Sequence, residues 1–343
     1  MYPLKFKPVY KDYLWGGRNL EKLGKTLPAG IVAESWEVSC HPDGESVISN
    51  GEFRGMPLSR FVDKLQYEVM GTGIGWKPGD RFPLLVKFID ANEKLSVQVH
   101  PDDEYASMHE KDMSGKTEMW YIISAKPGAK LVYGLLPGTT REMFKEALEN
   151  GSVGKYLNYI EVSEGDVIHI PAGVVHAVGE GIMIAEVQQN SNNTYRVYDY
   201  DRIDKDGKKR PLHIQKALDV IDFSGIKSKR GKSKGTPVAA LDGFTIARLV
   251  ENDYFTVELH DIYGKVSEIA DGSKFFIYLF IKGSGEIFYG NSDCENAGCQ
   301  GDSHDGNIKV KAGESVLIPA SMGKYTILGK IKAMKIYAGK GKY

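Results

Sequence analysis

From residue 95 to residue 100 the chain alternates strictly. Leu95, Val97 and Val99 are apolar, while Ser96, Gln98 and His100 are polar. A period of two is that of a strand, and it sets the three polar side chains on one face. Short apolar runs of the same kind follow Glu118, from Met119 to Ile123, and precede His176, over 167–171. Gly, Pro and Asp punctuate these runs, so the pattern predicts a mainly β chain built of short strands. Helical spacing stands out in three places. These are 57–65, with Ser59 as the cap-like residue; 139–151, with a Thr start, an early Glu142 and a closing Gly151; and 213–221. The helices are expected on the outside of the sheets.

The pattern also repeats. Glu164-Gly165-Asp166 followed by Ile170-Pro171-Ala172 is echoed by Ala312-Gly313-Glu314 followed by Ile318-Pro319-Ala320. Likewise 123–134 is echoed by 281–290, two residues shorter. A repeated strand-turn-strand unit predicts two barrels of one kind, the first within 1–226 and the second within 236–343. Between them lies a run of basic and small residues, 227–235, read as a solvated linker in preference to a phosphate or nucleic-acid patch. In the repeat, Phe276 takes the place of Glu118 and Lys324 that of His176. The second barrel is therefore expected to hold no metal and to support the first.

Polar side chains that face a barrel interior need partners. His100 and His176, the Glu118 carboxylate and the Gln98 amide oxygen come from three separate strand-like segments. Together they make a zinc shell with room for a water or a substrate oxygen. A polar barrel interior without metal is the alternative. Cys294, Cys299 and His304 lie among Gly, Asn, Asp and Ser, offer only three ligands, and read as a polar loop instead of a second metal site.

Composition narrows the remaining classes. With 343 residues, 42% hydrophobic and 26% charged, the chain is long enough for two cores and has the make-up of an ordinary globular protein. A formal charge of -1 gives no reason to expect nucleic acid or an anionic membrane as partner. No apolar run of about 18 residues occurs, so no membrane helix is expected. The first residues lack the apolar stretch of a secretory signal. The three cysteines, Cys40, Cys294 and Cys299, are an odd, low count that fits a reducing, cytoplasmic setting. There is no phosphate-binding or dinucleotide glycine fingerprint. The expected partner is a small molecule, with no obligate protein partner indicated.

The stretches 96–106, 115–121 and 170–177, the tract 186–202 and the early Trp15-Gly16-Gly17 resemble those of the type I phosphomannose isomerases, zinc enzymes of the cupin superfamily. The resemblance covers the whole chain and is to the short bacterial form. It implies two jelly-roll cupin barrels with a few peripheral helices. It also implies one Zn2+ per chain on Gln98, His100, Glu118 and His176. The activity implied is interconversion of mannose 6-phosphate and fructose 6-phosphate through an enediol.

Such an isomerisation needs a base beside the metal. Lys116 stands two residues before Glu118 and shares its face. Lys87 interrupts the apolar run 84–88, where burial near a cation would depress its pKa toward neutrality. The resemblance carries lysines at both positions, and both are candidate bases. It also places an active-site arginine at Arg196, a group suited to a developing oxyanion because it stays protonated. Glu186, in an otherwise apolar strand, is expected beside the metal or beside Arg196. Ser96, Arg202 and Lys116 are available to the substrate phosphate, with Trp15 at the cavity rim. Two other readings compete with the isomerase: a cupin that binds a sugar phosphate without turnover, and an iron cupin oxygenase.

Overall fold

The computed structural model describes residues 1–111, 114–203, 207–225, 227–290 and 306–340. The expected Cys294, Cys299 and His304 loop lies outside the described residues.

Two antiparallel sheets form the first barrel. The larger has seven strands in the order Lys232–Ser233, Val167–Ile170, Glu118–Ala125, Ile182–Gln189, Leu84–Ala91, Glu34–Val38 and Val9–Lys11. The smaller runs Leu157–Glu161, Lys130–Leu135, His176–Ala177, Val97–Val99 and Tyr195–Tyr198. Alternation sorts their side chains into layers. Trp120, Ile122, Ile89, Ile184, Leu131 and Tyr133 pack inside the barrel. Val97, Val99, Val132 and Val197 point the other way and are covered by Phe144 and Ala147 of the helix Arg141–Glu149 and by Ala217 and Leu218 of the helix Ile214–Val220.

The outer face of the seven-stranded sheet meets the second barrel. Val86, Phe88, Met119 and Val187 pack with Phe255, Ile277, Leu279, Met334 and Ile336 in one continuous core. Burying each large side chain of this kind contributes about 1.5–3 kcal/mol. This shared core joins the barrels, and the basic stretch is no free tether. Lys227–Arg230 forms a 3-10 turn, and Lys232–Ser233 adds an edge strand beside Val167 and Ile168. Lys232 and Lys234 pair with buried Asp166. The strand Leu4–Lys7, from the segment expected in the first unit, pairs with Ser315–Ile318 of the second.

A single nine-stranded sheet makes the second barrel. Its two longest strands, Phe255–Ala270 and Gly323–Ala338, pair along sixteen residues each. Lys335 pairs opposite Tyr278, whereas Tyr325 lies ten residues away along the same strand. A straight strand would separate them by about 33 Å, yet the Tyr278 and Tyr325 hydroxyls are 2.9 Å apart. The sheet therefore curls back on itself. The bend falls where Gly264, Gly329 and Gly285 pair side by side, and a Cβ on Gly285 would come within 2.2 Å of the Leu328 carbonyl. A side chain at Gly285 would collide with that carbonyl.

The three expected helices appear at Leu58–Leu65, Arg141–Glu149 and Ile214–Val220. Thr140 caps the second, accepting a hydrogen bond from the Met143 N–H. Ser59 does not cap the first, which begins after Pro57; its N–H is instead bonded by the Glu45 carboxylate at 2.8 Å. A carboxylate brought in from another segment takes over the capping role. The pattern does not predict the helix Asp103–His109, capped by Asp102.

Candidate metal centre and active site

Cross-strand pairing assembles the site. His176 lies opposite Tyr133 on one side and Gln98 on the other, and Gln98 in turn lies opposite Arg196. One row across the smaller sheet thus points into the barrel. From the facing sheet, Glu118 begins its strand and shares a face with Trp120, whose ring packs edge-on to His176 at 5.4 Å between centroids. The ligating atoms of His100, Glu118 and His176 all lie within 4.8 Å of one another, and all three residues are buried.

Backbone carbonyls fix both imidazoles. His100 Nδ1 lies 2.7 Å from the Asn193 carbonyl and His176 Nδ1 2.9 Å from that of Val174. A carbonyl can only accept, so each Nδ1 carries the proton and each Nε2 presents its lone pair inward. Those lone pairs face Glu118: His176 Nε2 is 3.2 Å from Oε1 and His100 Nε2 3.5 Å from Oε2. Both Glu118 oxygens are fully buried; Oε1 receives no hydrogen bond, while Oε2 has the Lys116 ammonium beside it. Burial, with Lys116 next, pushes His100 down to about 3, which removes imidazolium as the missing cation. Acceptors turned toward acceptors in a buried space fit a bound metal ion. Gln98 closes the corner, its Nε2 lying 3.3 Å from His176 Nε2. A half-turn of that amide exchanges its nitrogen for its oxygen.

Lys116 stands at the same cluster, with Nζ 2.7 Å from Glu118 Oε2 and 3.2 Å from His100 Nε2. Ser96 is buried and accepts the Arg196 Nε–H at 3.3 Å, while Arg196 Nη1 donates to the Pro211 carbonyl. Burial and the neighbouring Arg210 lower the Arg196 pKa without discharging it.

Four expectations are corrected. Lys87 is buried as foreseen, but it lies 3.1 Å from Glu186 and 3.5 Å from Glu34. Burial alone would depress its pKa; the two carboxylates outweigh burial and raise it, so Lys87 is a firmly held ammonium. Glu186 accordingly pairs with Lys87 and the Trp120 indole N–H, and not with Arg196. Trp15 is not a rim residue, since it packs in the barrel core with Ala33, Ile89 and Trp120, while Tyr13 and Leu14 beside it are exposed. Arg202 directs its donors to Asp199, at 2.5 Å, and to the Lys94 carbonyl, at 2.6 Å. A guanidinium so engaged is not an open phosphate fork.

Asp199 also takes both forks of Arg210, at 2.6 and 2.8 Å. Sequence reasoning missed Arg210 and Glu34. For Glu34 the local pattern gave no signal, since it shares its parity with the apolar Trp36 and Val38. For Arg210 there was none, because it reaches the site through a loop.

A barrel that gathers two histidines and a glutamate inside a mainly β chain defines a cupin with a cluster that could hold a metal ion. Comparison with known proteins agrees. Residues 3–122 match the model of the phosphomannose isomerase type I catalytic domain. The mannose-6-phosphate isomerase of Bacillus subtilis is 36% identical over 327 residues, 95% of this chain and 96% of that protein. A Streptococcus mutans mannose-6-phosphate isomerase is 38% identical over 291 residues, 84% of this chain and 87% of that one. The crystal structure of a Bacillus subtilis mannose 6-phosphate isomerase superposes with a TM-score of 0.85 at 33% identity, covering 98% of this chain and 99% of that one. The chain belongs to the type I phosphomannose isomerase family. Among the described residues, no helix is long and apolar enough to cross a membrane.

Proposed function

We propose that this protein is a zinc-dependent isomerase that interconverts mannose 6-phosphate and fructose 6-phosphate. The observation that carries the reading is the pair of imidazole lone pairs turned on the buried Glu118 carboxylate. Family membership supplies the substrate, the relatives named above being mannose-6-phosphate isomerases. His100, His176, Glu118 and the Gln98 amide oxygen would hold one Zn2+. That mixed nitrogen and oxygen set suits zinc, and the Gln98 amide and nearby lysines disfavour an iron oxygenase. The low, odd cysteine count supports a cytoplasmic setting.

The reaction takes a proton from C2 of the aldose and returns one to C1, while a hydroxyl proton passes from O2 to O1. When bound, zinc supplies a Lewis acid that acidifies the carbon next to the carbonyl. Lys116, whose amine reaches the ligand cluster, is assigned the proton transfer. Lys87 is assigned a fixed positive charge, because Glu186 and Glu34 hold its proton. Arg196 is assigned to the oxygen on which negative charge develops. The phosphate is assigned to Arg210, which Asp199 holds at 2.6 and 2.8 Å with Arg202 fastened to the same carboxylate. Ser96 holds Arg196 in place.

A coupled assay of mannose 6-phosphate conversion tests this reading. Turnover that chelation removes and zinc restores is expected. Tight binding of mannose 6-phosphate without conversion would instead establish a sugar-phosphate-binding cupin, and dioxygen uptake with iron an oxygenase.

A further inference from the structure

The second barrel reaches the active site from outside, through a chain of hydrogen bonds. Tyr254 lies in a turn of the second barrel, pinned where Asn252 Oδ1 accepts the N–H groups of Tyr254 and Phe255. Its hydroxyl donates to Asp103 Oδ2 at 2.7 Å. The other oxygen of Asp103 accepts from the Gly115 N–H at 2.8 Å and from Gln189 Nε2 at 3.0 Å. Gln189 Oε1 in turn accepts the Thr117 N–H at 2.7 Å, and the Lys116 N–H donates to the Pro101 carbonyl. Three successive N–H groups, at 115, 116 and 117, are thus fastened. The fit is tight, since a Cβ on Gly115 would lie 2.5 Å from the Asp102 carbonyl carbon. Between the two outer anchors stands Lys116, and immediately after them Glu118.

We infer that Tyr254 is a positioning residue for Lys116 and Glu118, which makes the second barrel part of the catalytic apparatus. It acts through Asp103, whose carboxylate bridges the two barrels and fixes the backbone that presents the amine and the carboxylate. Burial and Asp103 raise the Tyr254 pKa, so the hydroxyl stays a donor. The role in turnover rests on the isomerase reading; the role in holding the segment does not.

Tyr254→Phe removes one hydroxyl and little else. A hydrogen bond to a carboxylate held this way is expected to matter by about tenfold. Two readouts are needed: kinetics with mannose 6-phosphate, and amide hydrogen exchange over 114–118 against the strand Leu84–Ala91. The expected result is kcat lowered about tenfold with KM within about twofold, and exchange accelerated at 115 and 117 but not in the strand. Tyr263→Phe, an exposed tyrosine of the second barrel, should change neither readout. Unchanged exchange in Tyr254→Phe overturns the inference, as does faster exchange with unchanged kcat. If the wild-type protein does not convert mannose 6-phosphate, the functional reading has failed, and exchange alone decides whether Tyr254 holds the segment.

Discussion

Both barrels bury carboxylates, but they surround them differently. In the second barrel, Glu268 Oε2 is met by the hydroxyls of Tyr278 and Tyr325 and by the Lys335 ammonium. His260 stands between Glu268 and Glu258, and Tyr337 and Arg248 reach Glu258. In the first barrel, Glu118 faces two imidazole lone pairs, with the Lys116 ammonium 2.7 Å from Oε2. A carboxylate ringed by donors stabilises a fold, whereas one turned on imidazole lone pairs is also placed to ligate a metal ion. The two barrels share a strand pattern, and their chemistry diverges at single positions. Phe276, opposite Ile318, occupies the place that Glu118, opposite Ile170, holds in the first barrel.

The largest effect should come from breaking the His-His-Glu centre. His176→Ala or Glu118→Gln should abolish stoichiometric metal binding and lower turnover by at least about 1,000-fold, since the Lewis acid contributes several kcal/mol. Elemental analysis and kinetics check this, and a retained unfolding transition shows that the cores survive. Full zinc occupancy in His176→Ala would sink the ligand assignment.

Next comes Arg196→Ala, expected to lower kcat roughly 100- to 1,000-fold with little change in KM. Arg202→Ala should chiefly raise KM, because Arg202 acts by holding Asp199 and, through it, Arg210. If Arg196→Ala raises KM alone, Arg196 anchors substrate and its assigned role is wrong.

The donor-ringed centre should answer in stability and not in turnover. Glu268→Gln leaves the mostly buried Lys335 unpaired, which should cost about 3 kcal/mol of unfolding free energy while kcat stays at the wild-type value. Depressed carboxylate pKa values fix the sign of the pH dependence. Hydrogen bonding to His260 is the main cause holding Glu258 down at about 2, and Lys335 with Tyr325 holds Glu268 down against burial. Their stabilisation is present above the ordinary carboxylate range and is lost as pH falls from about 4.5 toward 2. Denaturant titrations across that window should show a shallower loss in Glu268→Gln. Smallest of all, Lys324→Ala, at an exposed position, should move stability by less than about 0.5 kcal/mol and leave kcat unchanged.

What could be read from the sequence was whatever depends on local period. Alternation over 95–100 set Ser96, Gln98 and His100 on one face, and the repeat set Phe276 in the place of Glu118. Contacts between distant segments were not legible. Lys87 looked like a lysine with a depressed pKa because its partners, Glu186 and Glu34, lie on neighbouring strands 99 and 53 residues away in the chain. Trp15 looked like a rim residue because a Trp-Gly-Gly turn says nothing about what its ring meets. The pairing of Glu268 with Lys335 needs a sheet bent at three aligned glycines, which no single strand reveals.

The central claim is that the His-His-Glu centre works as an isomerase only with a metal. Titrating metal-free protein with Zn2+ while following fructose 6-phosphate formation tests it directly. Turnover should begin near zero, rise in proportion to added zinc and level off at about one ion per chain. Full turnover before any zinc is added, or no plateau near one equivalent, would contradict it.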